Sequence, residues 1–335
     1  MSTALRTMGL LALLALAAAP CVARDASAVL PQGLFTASVL SAGTGGGEVP
    51  ATAGGVEPAM AESEEAAQAR LMALYEKMIQ FNLDHAHTLK SGTIDSLMAQ
   101  YAELPLGEKI AAWADYFWQR GDAVYLFGLA DGGYVREGRL VDDFRTDCVL
   151  FFYRVTELGR SSSALEAVQF AFGTRFYGAI LEDVVDAQGR VDYDSPVHLD
   201  YSIDMVRSGI WGQEITSQLG DVVADQAGST RYAPQSISYL PKQNLDPARL
   251  MDGDIVYFIS DESTAAGRAL RDAGAMVGHI GVIKIERGEP QLIHAAARGL
   301  DGLYVGGKVE KLPLQTYLAR VENFKGLLAT RIENF

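Results

Sequence analysis

Three side chains suit nucleophilic attack on a carbonyl. They are Cys148 in DFRTDCVLFFYRV (143–155), His279 in HIGVIKIE (279–286) and His294 in QLIHAA (291–296). The attacking form of cysteine is the thiolate, only roughly 3% populated at neutral pH for a thiol pKa of ~8.5, so the residue needs activation. Thr146 or Asp147 is a natural N-cap for a helix beginning at Cys148. Such a start sets the sulfur beside the positive end of the helix dipole and favours thiolate. It also leaves backbone N–H groups, that of Cys148 included, able to hold an oxyanion. An imidazole can take the thiol proton while a second orients the first. Plainer readings stand beside these: free cysteine is often a small buried hydrophobe, Thr-Asp-Cys is an ordinary cap, and one histidine on a sheet implies no chemistry.

Geometry decides whether the two histidines can cooperate. Their segments read as strands separated by the turn ERGE (286–289). With a four-residue loop, Ile285 faces Pro290, His279 faces Ala296 and Gly281 faces His294, so both imidazoles share one face. An odd loop would put them on opposite faces.

The elements around them form an α+β pattern. CVLFFYRVTEL (148–158) reads as a buried helix ending at Gly159, and SSALEAVQFAF opens with a capping box, Ser163 to Glu166. Strands are expected over 253–260, 279–286, 290–297 and 326–332, with a short helix over LQTYLARV (314–321). Upstream, residues 57–120 read as a helical prefix. Leu71, Leu74 and Met78 lie at helical spacing in its first helix, and Ile110, Trp113 and Phe117 share a face of its last. The stretch 173–250 is turn-rich and shows no clear period.

The N-terminus reads as an export signal: Arg6, then the short apolar run GLLALLALAAAP, with small residues before positions 24 and 29. Residues 1–23 are taken as the leader. Pro20 stands where a lipobox needs a small residue, so cleavage with loss of Cys21 is read over lipidation. Residues 24–56, rich in Gly, Ala and Thr, read as a flexible linker. Loss of Arg6 moves the formal charge from −14 to −15, which argues against a nucleic-acid partner. After cleavage Cys148 is the one cysteine, and an unpaired thiol in an oxidising compartment is a candidate reactive group. GTGGG lacks the following Lys-Ser/Thr of a phosphate loop. His85 and His87 are two apart on a helix and share no face, and no zinc-type cluster or cofactor motif stands out. Trp113, Phe117 and Trp118 read as packing aromatics, and His198 as a core or surface residue.

The order of these motifs resembles the NlpC-like cysteine peptidases and amidases. From about 121 to 332 the chain most resembles the branch called N-acetylmuramoyl-L-alanine amidase-like. The motifs are GGYVREGRL, RTDCVLFFYRVTEL, HLDYSIDMVRSGIWGQEIT, SYLPK, GDIVYF, VGHIGVI and LIHAA. The resemblance implies a papain-like α+β catalytic domain over 121–335, acting on peptidoglycan in the periplasm or outside a bacterial cell. It implies Cys148 as nucleophile, His279 as general base and His294 as the orienting residue. It places Tyr134, Asp147, Tyr201 and Asp204 at the substrate. Met205 stands where relatives carry an aromatic, Ala-Asp-Gly-Gly precedes Tyr134 in place of Gly-x-Pro, and VLFF follows the nucleophile; these departures bear on substrate choice. The implied reaction is cleavage of the muramoyl–L-alanine amide, with a γ-D-glutamyl stem-peptide bond as the alternative. Rival classes are an inactive envelope-binding protein of the same fold and a metal-dependent amidase built on His279 and His294.

Overall fold

The computed structural model describes residues 63–127, 133–199, 203–226, 236–272 and 276–333. The leader and linker expected over 1–56 lie outside them. Three helices open the described chain: α1 (Glu64–Leu83), α2 (Ser91–Tyr101) and α3 (Leu106–Arg120). Ser63 caps α1 by accepting from the Ala66 N–H, and Gly121 ends α3 in the left-handed conformation (φ 69°). Then come α4 (Cys148–Gly159) and α5 (Ala164–Arg175), the latter capped by Ser163. A late helix, α6 (Leu314–Arg320), precedes the last strand.

Among the described residues, ten strands form one sheet. They are β1 (Val124–Tyr125), β2 (Arg145–Thr146), β3 (Gln213–Glu214), β4 (Val223–Gln226), β5 (Ser236–Pro241), β6 (Ile255–Ser260), β7 (Val277–Glu286), β8 (Glu289–Ala296), β9 (Lys308–Pro313) and β10 (Phe324–Arg331). The order is β2-β1-β9-β8-β7-β6-β10-β5-β4, with β3 on the end of β10; all pairings are antiparallel except β1 with β2. The mixed α+β class expected from sequence is what the chain adopts. The four strands legible in the sequence form the contiguous run β8-β7-β6-β10. The strand β9, whose KVEKLP breaks the apolar–polar alternation at Glu310 and Lys311, is not among those expected from sequence, nor are the short strands between 213 and 241.

Both sheet faces are covered, which is why β6 is buried along its whole length. One face carries Ile255, Tyr257, Ile259, Ile280, Val282, Ile293 and Ala295 into a core shared with α3 and α4. The alternating residues Val256, Phe258, Ile283 and Leu292 pack beneath α6 against Leu314, Tyr317 and Leu318. Helices α3 and α4 approach closely at Gly159, where a Cβ would lie 3.2 Å from the Ile110 Cα. The helical prefix shares this core: Ile94, Ile110, Trp113 and Phe117 belong to the same cluster as Cys148, Phe151 and Val155. A third cluster joins Met78 of α1 to Val168 and Ala171 of α5 and to Leu140 and Val141. No helix among the described residues is long and apolar enough to cross a membrane.

Candidate active site

Asp147 is the residue that caps α4. Its Oδ1 accepts from the Val149 N–H (3.0 Å) and the Leu150 N–H (2.7 Å). The Cys148 N–H is not among the groups this cap takes. Cys148 occupies the first helical position, 8% exposed and in no disulfide.

The hairpin that carries the histidines turns tightly. Its loop is two residues, Arg287 and Gly288, both with positive φ (54° and 82°), the type I′ geometry that matches strand twist. It is two residues shorter than the expected loop but of the same parity, and Ile285 pairs with Pro290 as that parity requires. The β7–β8 ladder runs from Glu286↔Glu289 to Val282↔Ile293 and stops there, although both strands continue. Where they part, the Ile280 N–H lies against the Cys148 sulfur and, with the Cys148 and Val149 N–H groups, favours thiolate. In the same stretch His279 Nε2 and His294 Nδ1 are 2.7 Å apart, with ring planes at 84°. Gly281 makes this approach possible: a Cβ there would stand 2.5 Å from Leu292 Cδ1 and 3.2 Å from the His294 Cβ.

Aromatic rings enclose the imidazole pair. Phe324 and Phe258 stack on His279 at 6.3 and 6.0 Å. Tyr317 and Tyr304 stand across His294 at 5.2 and 5.5 Å. This enclosure sets the electrostatics. Burial pulls His279 down to about 4, and burial with the His279 charge pulls His294 well below the ordinary histidine value. Burial and then the Asp147 carboxylate push the Cys148 thiol up. The expectation that the helix start alone would favour thiolate is therefore corrected: desolvation outweighs the backbone N–H groups, and the thiol and both imidazoles rest neutral.

Of the other anticipated residues, Tyr134 is buried, stands edge-to-face with Tyr193 at 6.1 Å, and is close enough to Asp147 for that carboxylate, after burial, to raise its pKa. Asp204 falls in the short helical turn Ile203–Arg207. Tyr201 lies outside the described residues. His198 packs on Tyr193 (4.9 Å) and Phe176 (5.3 Å). His85 and His87 lie against each other at 5.1 Å. Among the described residues no group of three or more His, Cys, Asp or Glu could hold a metal ion. Sequence reasoning missed Tyr304, Tyr317, Phe258 and Phe324. Tyr317 sits on the apolar face of a legible helix with Leu314 and Leu318, and nothing local says which strand that face covers.

Fold and site define an α+β protein with a helix-borne cysteine whose sulfur meets the Ile280 N–H on the strand that carries one of a buried histidine pair. No known family model matches the sequence, and no curated protein matches it. Among solved structures, protein LPG0564 of Legionella pneumophila str. Philadelphia 1, of family DUF1460, is similar at TM-score 0.50 and 14% identity, over 73% of this chain and 94% of that one. An N-acetylmuramoyl-L-alanine amidase from Bacteroides uniformis ATCC 8492 aligns at TM-score 0.49 and 17% identity, over 68% and 99%. At such identities the likeness to the Legionella protein is one of fold alone.

Proposed function

We propose that the chain is an exported cysteine amidase with a papain-like, NlpC-type catalytic core that cleaves an amide of peptidoglycan. The bond favoured is that between N-acetylmuramic acid and L-alanine. The observation that carries this reading is the His279–His294 contact of 2.7 Å on β7 and β8, with the Cys148 sulfur against the N–H of Ile280, the residue after His279. The substrate class comes from the motif order described above, from Tyr134 through Cys148 to His294.

In the reaction, His279 Nδ1, the ring nitrogen that His294 does not engage, takes the thiol proton as the sulfur attacks the carbonyl carbon. Because the resting pair is neutral, proton transfer accompanies attack instead of preceding it. The C–S bond forms, and the carbonyl oxygen becomes an oxyanion held by backbone N–H groups at the start of α4, that of Cys148 first. The His279 imidazolium then gives its proton to the leaving nitrogen as the C–N bond breaks. Water, deprotonated by His279, attacks the thioester; the acid leaves and the thiol is restored.

One observation favours a second reading, an inactive envelope-binding protein. Cys148 is almost fully buried and its thiol is pushed up. Iodoacetamide separates the two: the amidase reading requires labelling of the native protein at Cys148 near neutral pH, and a thiol that labels only after unfolding sinks it. The decisive test is mass spectrometry of muropeptides digested by wild type and by Cys148→Ala. The expected result is a free glycan and a free peptide starting at L-alanine from the wild type alone. No product from the wild type, or the same product from both proteins, overturns the assignment. Cleavage inside the stem peptide moves it to the γ-D-glutamyl bond.

A further inference from the structure

The histidine contact is compatible with two proton arrangements. In one, His279 Nε2–H donates to His294 Nδ1. His279 Nδ1 is then bare and can act as base, and His294 carries its proton on Nε2. In the other, His294 Nδ1–H donates, His279 is protonated on Nδ1, and it cannot accept the cysteine proton. The 2.7 Å distance does not choose between them.

The surroundings of His294 Nε2 do. This nitrogen is fully buried and has no hydrogen-bond partner among the described residues. The imidazole that carries it is flanked by the rings of Tyr317 (5.2 Å between centroids, 67°) and Tyr304 (5.5 Å, 78°), both steeply inclined to it. An aromatic face carries negative potential. It welcomes an N–H at its centre and repels a nitrogen lone pair. Of the two rings, Tyr317 is nearer, only 4% exposed, and fixed by α6 through buried Leu314 and Leu318 and by Phe258 at 5.0 Å. Tyr304 lies half-buried in the β8–β9 connection.

We infer that Tyr317 is a positioning residue whose ring holds His294 in the Nε2–H tautomer and so leaves His279 Nδ1 free to act as base. The inference deepens the amidase reading and rests on His279 being the base. It also specifies a proton position that exists without substrate.

The test is imidazole ¹⁵N NMR of the full chain near neutral pH, alongside muropeptide turnover. Wild type is expected to show His294 protonated on Nε2 and His279 on Nε2. Tyr317→Phe, which keeps the ring, should retain both signatures and most of the turnover. Tyr317→Leu should mix the tautomers and lower turnover about 100-fold, the scale of a misplaced catalytic group. A wild-type His294 protonated on Nδ1 overturns the inference even if Tyr317→Leu fails to fold. So does a folded Tyr317→Leu with wild-type tautomers, or a Tyr317→Phe as impaired as Tyr317→Leu. Absence of turnover in the wild type counts against the proposed function, while the tautomer spectra still decide the role of Tyr317.

Discussion

At Cys148 two influences oppose each other. Burial and the Asp147 carboxylate hold the proton on sulfur, while three backbone N–H groups favour its loss. Burial likewise keeps both histidines neutral, and this gives a signed pH dependence. His279 titrates at about 4 in the folded chain and His294 is also pulled well down, against an ordinary histidine value of 6.5. Between pH 6.5 and 4 the unfolded chain therefore binds protons that the folded chain refuses. Stability should fall as pH drops through this window, by up to about 1.4 kcal/mol per pH unit for each histidine. At pH values above the ordinary histidine range the two contribute no slope. Urea denaturation of wild type and of His279→Gln/His294→Gln at about pH 7 and about pH 5 checks this, since other titrating groups cancel in the comparison. Equal losses of stability in the two proteins would refute the buried-neutral pair. The sequence named these three residues from their types and from strand parity. It could not reveal how far the aromatic enclosure desolvates them, and so the thiolate expectation reversed.

At the scale of elements, the site depends on one hairpin whose parity was legible because β side chains alternate with a period of two. The sequence could not show where the β7–β8 ladder stops, next to the point where the Cys148 sulfur at the start of α4 meets the Ile280 N–H. Nor could it give the helix that covers the other face, because Tyr317 reaches His294 only through tertiary packing. Gly281 lies at the join of these elements. Gly281→Ala places a methyl against Leu292 Cδ1 and the His294 Cβ, with contacts of 2.5 and 3.2 Å that must open. We expect a loss of about 1–3 kcal/mol from overpacking and a fall in turnover of about 100-fold as the imidazoles separate. The turn offers a contrast, since it can be altered without moving the histidines. Arg287 is a non-glycine residue at φ 54°, and Arg287→Asn suits a type I′ turn better. That change should raise the urea midpoint and leave turnover unaltered. A Gly281→Ala protein with wild-type turnover would show that the histidine spacing tolerates more than the packing suggests.

Across the whole molecule, the helical prefix and the Cys148 helix are tied by buried polar links as well as by shared apolar core. Asn82 of α1 accepts from the N–H groups of Leu140 (2.8 Å) and Val141 (3.2 Å) and donates to the Met78 carbonyl (2.8 Å). Asp143, in the loop leading to the cysteine, accepts from the Leu89 N–H (2.8 Å) and pairs with Arg154 of α4 at 2.6 and 3.1 Å. Glu157, further along α4, pairs with Arg175 of α5 at 2.9 Å through both oxygens. These partners are separated in sequence, and each reads locally as an ordinary surface charge, so no local pattern announces that they are buried together. Their energetics is asymmetric. Removing Arg154 leaves the Asp143 carboxylate in the core with one backbone donor, a change that costs about 3–5 kcal/mol. Neutralising both partners removes the stranded charge, and the side-chain amide that Asp143→Asn introduces would still accept from the Leu89 N–H. Arg154→Met should therefore destabilise the chain more than Asp143→Asn/Arg154→Met does, and should lower turnover because the loop leading to Cys148 loses its anchor on α4. Urea denaturation of the two variants and of Asp143→Asn completes the cycle. A double variant less stable than Arg154→Met would mean that the link acts through packing of the arginine stem, and that the charge pair does not hold the prefix to the Cys148 helix.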